Sequence, residues 1–251
     1  MSGLVVEFCG LPGSGKTSLA ECTREAIVAH GIVCSIADAE VSAAATKSAR
    51  IVRRSKAAAR EGVRHPSASI SAARLIGSTG NAATRDLLAG LAQWLTIRDI
   101  ILRAHRTPGV HLVEEGIVQS LWTIALRAQH DPARDLWRRL GPDSRPDLIL
   151  VLETTSTTAA ARLESRESRH SRTQRLPTES RIGELEHGRT LFERQLAACP
   201  VPVLRIAVDD AGSPIELGQA VAALILRSCT RCAGPGRSRA RTNRPSGSRY
   251  P

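Results

Sequence analysis

Eight residues near the start, Gly10-Leu11-Pro12-Gly13-Ser14-Gly15-Lys16-Thr17, constrain this chain more than any other stretch. They match GxxxxGK[ST] in full, follow the apolar run Leu4–Cys9 and precede a helical stretch from about Lys16 to His30. A strand, a glycine turn and a helix in that order are the context the pattern needs. A turn poor in side chains lets backbone N–H groups converge on a phosphate. Lys16 supplies a point charge for the β and γ oxygens, Thr17 a hydroxyl ligand for Mg²⁺, and the helix start a favourable dipole. Gly10, Gly13, Ser14, Gly15, Lys16, Thr17 and the following Ser18 are therefore the candidate nucleotide-binding residues, with ATP and Mg²⁺ as the expected ligands. A chance GK[ST] in an unrelated loop would lack the flanking strand and helix.

Strand-like runs alternate with helical ones along the rest of the chain, the signature of βαβ units. The strands are expected at Leu4–Cys9, Ile32–Ala37, Val110–Glu114, Leu148–Glu153 and Val203–Val208. Helices are expected from Val41 to His65, where Pro66 interrupts, and from Ala83 to Arg106, Val118 to Gln129, Pro132 to Leu140, Ser156 to Ser165, Thr178 to Ala198 and Pro214 to Arg227. The fold class predicted from this alternation is α/β, a doubly wound five-stranded parallel sheet with the glycine loop after its first strand, over residues 1–227. Residues 228–251 are rich in Gly, Pro, Ser and Arg and read as a disordered basic tail.

The formal charge of +11 suggests nucleic acid until it is located. Six arginines lie in that tail, which holds no acid, and without them the body carries +5. The tail has a single aromatic, Tyr250, so base stacking is not indicated and a nucleic-acid partner is unlikely on this reading. No apolar run approaches the roughly 18 residues that cross a bilayer, and the N-terminus lacks the positive leader of a signal peptide. The six cysteines are irregularly spaced and read as reduced, so a cytoplasmic protein with no membrane partner is expected. Cys229 and Cys232 form one CxxC without the second pair that structural zinc wants. His111 reads as a packing residue, and Trp94, Trp122 and Trp137 as core or pocket-lining side chains.

Glu7 through Thr17 resembles the opening of the P-loop nucleoside and nucleotide kinases, the thymidylate-kinase-like group especially. Val110–Glu114 followed by Glu115-Gly116-Ile117-Val118-Gln119-Ser120-Leu121-Trp122 is similar to their third strand and acidic turn, although Glu-Glu stands where Asp-Arg is commoner. Leu148–Glu153 with Ala161-Arg162-Leu163-Glu164-Ser165-Arg166 resembles their fourth strand and Arg-bearing helix, and Arg166–Arg175 their lid. The resemblance covers about residues 3–227. It implies the P-loop NTPase, kinase-like form of the fold and an ATP-dependent kinase whose acceptor is a nucleoside, a nucleotide or another small molecule, with a homodimer as one assembly such a chain adopts.

On that resemblance Glu114 is the metal-side carboxylate, and Asp38 or Glu115 contacts the acceptor. Arg166, Arg169 and Arg172 stabilise the transferred phosphoryl group, while Arg162 and the turn Val208-Asp209-Asp210 flank the adenine. The residues alone leave other readings open. Glu114 and Glu115 could be solvated acids at a strand end, and Asp38 could cap the next helix. Arg162, Arg166, Arg169, Arg172 and Arg175 fall at spacings of four, three, three and three, and Glu164 and Glu167 could simply partner them. A different class also stays open: an NTP-binding or hydrolysing switch acting on a macromolecular partner. The guanine-reading Asn-Lys-x-Asp of a GTPase is absent from the sequence. Deleting every residue after Arg227 is expected to leave phosphotransfer or hydrolysis unchanged, and a large loss in a steady-state assay would overturn the reading of the tail.

Overall fold

The alternation of side chains along β1 (Leu4–Gly10) decides how the molecule is layered. Val5 and Cys9 point to one face of the sheet, Val6 and Phe8 to the other, and each pair joins a different apolar cluster. In this computed structural model the described residues are 2–42, 46–80, 83–126, 128–165, 173, 176–209 and 213–232. β1 is followed by α1 (Lys16–Ala29), β2 (Cys34–Ile36), α2 (Ala39–Ser42), α3 (Lys47–Arg64), α4 (Pro66–Gly77) and α5 (Thr84–Arg106). Then come β3 (Val110–Val113), α6 (Ile117–Ala125), α7 (Ala133–Arg139) and β4 (Leu148–Glu153). The last elements are α8 (Ser156–Glu164), α9 (Thr178–Ala197), β5 (Val203–Ala207) and α10 (Pro214–Cys232).

All four strand pairings are parallel, in the order β2-β3-β1-β4-β5. The fold is the doubly wound α/β sheet expected, with the glycine loop leaving the central strand. Because β1 is covered on both edges and both faces, it reads as a nearly continuous apolar run. α1 and α10 pack on the face of Val6, Phe8, Leu112 and Leu150. The opposite face, with Val5, Val113, Ile149 and Val151, is covered by α4 to α7 and α9. Trp94, Trp122 and Trp137 all lie in that second cluster, so they fill core. Trp122 donates its indole N–H to the Gly188 carbonyl at 2.7 Å, the partner a buried indole needs. His111 is buried between the Ser35 hydroxyl and the Thr107 carbonyl, a packing residue as expected.

Several boundaries differ from expectation for physical reasons. β2 is shorter than the expected Ile32–Ala37 because it lies at the sheet edge, bonded to β3 alone, and Val33 is 70% exposed. Pro66 does not merely end a helix. It opens α4 as its first residue, where a missing N–H goes unneeded. α2 and α3 replace the single helix expected from Val41, α6 stops at Ala125 instead of Gln129, and α10 continues to Cys232, past Arg227. Residues 233–251 lie outside the described residues. Among the described residues no helix is long and apolar enough to cross a membrane.

α3 is fastened to α5 by charge. Arg60 holds Asp99 with two bonds of 2.8 and 2.6 Å, and Arg98 lies 3.1 Å from Glu61, both of them buried. Burial pushes the Glu61 carboxyl up and the Arg98 guanidinium down, against the attraction each exerts on the other. Desolvation therefore outweighs the pairing, as for many buried ion pairs. Glu61→Ala, which leaves Arg98 buried alone, is expected to cost roughly 3–5 kcal/mol in urea unfolding. The double variant Glu61→Leu, Arg98→Met should recover most of that loss.

Candidate active site

The loop after β1 is shaped by its glycines and by α8. Gly13 has φ +87°, and a Cβ there would sit 2.4 Å from the Ala159 carbonyl of α8. Gly15, at φ +89°, is the cap from which α1 starts, and Leu19 donates its N–H back to the Gly15 carbonyl at 3.0 Å. Ser14 donates its N–H to the Leu11 carbonyl, closing the turn. Lys16 Nζ reaches back to the carbonyls of Gly10 at 2.7 Å and Leu11 at 3.1 Å. The hydroxyl of Ser14 is buried and has no hydrogen-bond partner among the described residues, an unmet polar group inside the cradle. Left-handed glycines and inward polar groups at a helix start suit an anion.

Parallel pairing of β3 beside β1 carries a carboxylate to this loop. Glu114 follows the last residue of β3, and Thr17 Oγ1 donates to Glu114 Oε2 at 2.6 Å. Burial raises the Glu114 carboxyl above its ordinary range, the Thr17 hydrogen bond opposes this, and Asp38 nearby adds to the rise. Two hard oxygen donors meeting at the phosphate loop fit Mg²⁺ in type. Among the described residues no group of three or more His, Cys, Asp and Glu side chains could hold a metal unaided. An ion bound here would take its other oxygens from phosphate and water.

The turn bearing Glu114 is tied down from two sides. Asp38, just past β2 and 2% exposed, accepts the N–H of Glu114 at 3.2 Å and of Glu115 at 3.0 Å. Burial pushes its carboxyl up, and those two bonds pull it back down. Glu7 of β1, fully buried, accepts the N–H of Ile117 at 2.9 Å and of Val118 at 2.8 Å. The Glu115 side chain is partly exposed and pairs with Arg54 of α3 at 2.9 Å.

Across the loop, Arg162 of α8 lies 3.7 Å from Asp209 and donates to the Val208 carbonyl at 3.4 Å. The structure thus brings together the arginine and the turn expected around the adenine. Burial pushes the Asp209 carboxyl up, but hydrogen bonds from Thr154 and Thr155 and the Arg162 charge outweigh it and hold it low. Arg166, Arg169, Arg172, Arg175 and Asp210 lie outside the described residues. A cleft of about 400 Å³ borders the loop on the β4–β5 side, lined by Leu11, Val151, Thr155, Arg189 and Phe192.

Three features escaped sequence reasoning. Arg54 and Arg189 are single members of arginine-rich helices with nothing local to distinguish them. Glu7 did leave a trace, as the one charge inside an otherwise apolar strand.

No protein-family model matches the chain, and no curated protein matches it. Solved structures similar to it include shikimate kinase from Acinetobacter baumannii in complex with shikimate. It is 13% identical, with a TM-score of 0.44 over 91% of this chain and 94% of that one. Another is deoxyadenosine kinase from M.mycoides with products dcmp and a flexible dcdp bound. It is 11% identical, with a TM-score of 0.49 over 91% of this chain and 100% of that one.

Gly13→Ala tests the cradle. A side chain at that φ costs on the order of 1–3 kcal/mol before any clash, and the clash is with α8 backbone. Calorimetry with ATP and Mg²⁺ should show binding weakened by about tenfold or more, together with a lowered melting temperature.

Proposed function

We propose that the chain is an ATP-dependent kinase, transferring the γ-phosphoryl group to a nucleoside, a nucleotide or another small acceptor. One observation carries this reading. A loop hydroxyl and a strand-end carboxylate, 97 positions apart in the chain, meet at 2.6 Å beside a cradle that also holds a lysine. Phosphoryl transfer asks the protein mainly for positioning and charge neutralisation, and those groups suit both tasks.

The loop amides bind the β-phosphate in this reading, and Lys16 exchanges the Gly10 and Leu11 carbonyls for phosphate oxygens. Thr17 and Glu114 would hold Mg²⁺, which when bound offsets charge on the β- and γ-phosphates. Glu115 is assigned to the acceptor side, since it is partly exposed and oriented by Arg54. Asp38 is assigned to holding the turn, since it is buried and each of its oxygens accepts a backbone N–H from it. Arg162 and Asp209 frame the base of the nucleotide. Arg166, Arg169 and Arg172 are assigned to a lid that neutralises charge on the moving phosphoryl group and excludes water.

The test is direct. Purified protein is incubated with labelled ATP, Mg²⁺ and a panel of nucleosides, nucleotides and small hydroxyl-bearing metabolites. Label is expected on an acceptor, and Lys16→Ala is expected to lower the rate on the order of 10²–10³-fold. Release of free phosphate alone, stimulated by no acceptor, would sink the kinase reading in favour of a hydrolysing switch.

A further inference from the structure

Helix α6 has an unusual cap. Its N-cap residue is Gly116, which has no side chain to offer, and the free N–H groups of the first turn are met by Glu7, more than a hundred positions away. Ile117 donates to Glu7 Oε2, and Val118 and, at 3.4 Å, Gln119 donate to Oε1. Gly116 is obligatory for this contact, since a Cβ there would lie 2.2 Å from Glu7 Cδ. A serine or aspartate at position 116 is the ordinary local solution to the same need. The strand carboxylate is instead fully buried, and burying it costs stability that a local cap at the surface avoids.

What the long-range contact does provide is a rigid link. Glu7 stands three residues before Gly10 on the strand that feeds the loop, and it grips the turn that follows Glu114. Asp38 grips the same turn on the other side of Gly116, at Glu114 and Glu115. Two carboxylates, one from each strand flanking β3, thus take the N–H groups of 114, 115, 117, 118 and 119. A displacement of about 1 Å in such a supporting group costs up to 10²-fold in rate.

We propose that Glu7 is a positioning residue for phosphoryl transfer, locking the β3–α6 turn to the loop strand so that Glu114 stays opposite Thr17. This rests on the kinase reading of the same site. Protonation of Glu7 is the natural way to loosen the clamp, because a proton on Oε2 takes the place of the Ile117 N–H. Burial lifts its carboxyl to about 7, against the opposing pull of the three amides, with Asp38 adding to the rise. The titratable groups around it are Asp38 from the end of β2, Cys9 on its own strand and Cys199 after α9. Both thiols are raised by burial, Cys199 to about 11, and of the three neighbours it is Asp38 that adds to the rise at Glu7.

Glu7→Gln is the informative variant. It keeps the shape and the Oε1 acceptor while setting an NH₂ against the Ile117 N–H, which mimics the protonated state. In the wild type kcat should fall on the acid side with an apparent midpoint near 7. In the variant kcat should be lower by about tenfold or more and flat through that range, with KM for ATP within about twofold. A second readout needs no activity. Since the folded carboxyl titrates above its unfolded value, its ionisation costs stability as pH rises through the window from about 4.5 to about 7. The unfolding free energy of the wild type relative to Glu7→Gln should therefore fall across that window. Unchanged kcat and an unchanged acid limb in the variant would overturn the proposal, as would a pH-independent stability difference. If the wild type transfers no phosphate to any acceptor, the kinase reading fails, while the stability series still reports whether the clamp titrates. Should Glu7→Gln not fold, Gly116→Ala displaces the carboxylate without removing it, and lowered kcat with intact ATP binding is again expected.

Discussion

The placement of β1 between β3 and β4 is the constraint on which everything else depends. Parallel pairing on both edges leaves that strand no solvent-facing side, so it must be apolar nearly throughout. The same pairing fixes where the chain emerges. The loop after Gly10 leaves next to the ends of β3 and β4, and these strands deliver Glu114 on one side and Thr154 with Thr155 on the other. Neither neighbour has to search for the loop. Backbone ladders of four and five residue pairs set the distances, and the side chains finish the geometry.

Around this frame the molecule accepts several electrostatic costs. Glu7, Asp38 and Glu114 are carboxylates crowded into one region, and each is raised chiefly by burial. An apolar interior of the same volume would be the more stable choice. That the charges persist next to the loop, with their oxygens engaged by backbone N–H groups and by Thr17, fits a site whose geometry matters more than its stability. The α3–α5 ion pairs make the same trade further from the loop.

Much of this is legible in the amino-acid sequence itself. The glycine loop, the strand before it and the helix after it are local in sequence and follow from local chemistry. The five strands read from apolar runs, and their parallel order follows from helical crossovers. What sequence could not show was what depends on three-dimensional neighbours. β2 is short because it has one partner, and Pro66 starts a helix because the chain turns at His65. Asp38 reads equally well as a base or a cap from its position at a strand end. The two amides bound to its oxygens, which tie it to the turn, come from residues more than seventy positions away. Glu7 was visible as an anomaly, but its partners lie more than a hundred residues away, beyond the reach of any periodicity.

The borders of the sheet carry a last implication. β2 offers only three residues to a newcomer, and β5 carries Arg205 at its centre, clasped by Glu153 of β4 and Glu193 of α9. Strand addition at either border would meet a stub or a knot of charge. Edge-to-edge growth of the sheet with a second copy of this chain is thereby disfavoured at both borders.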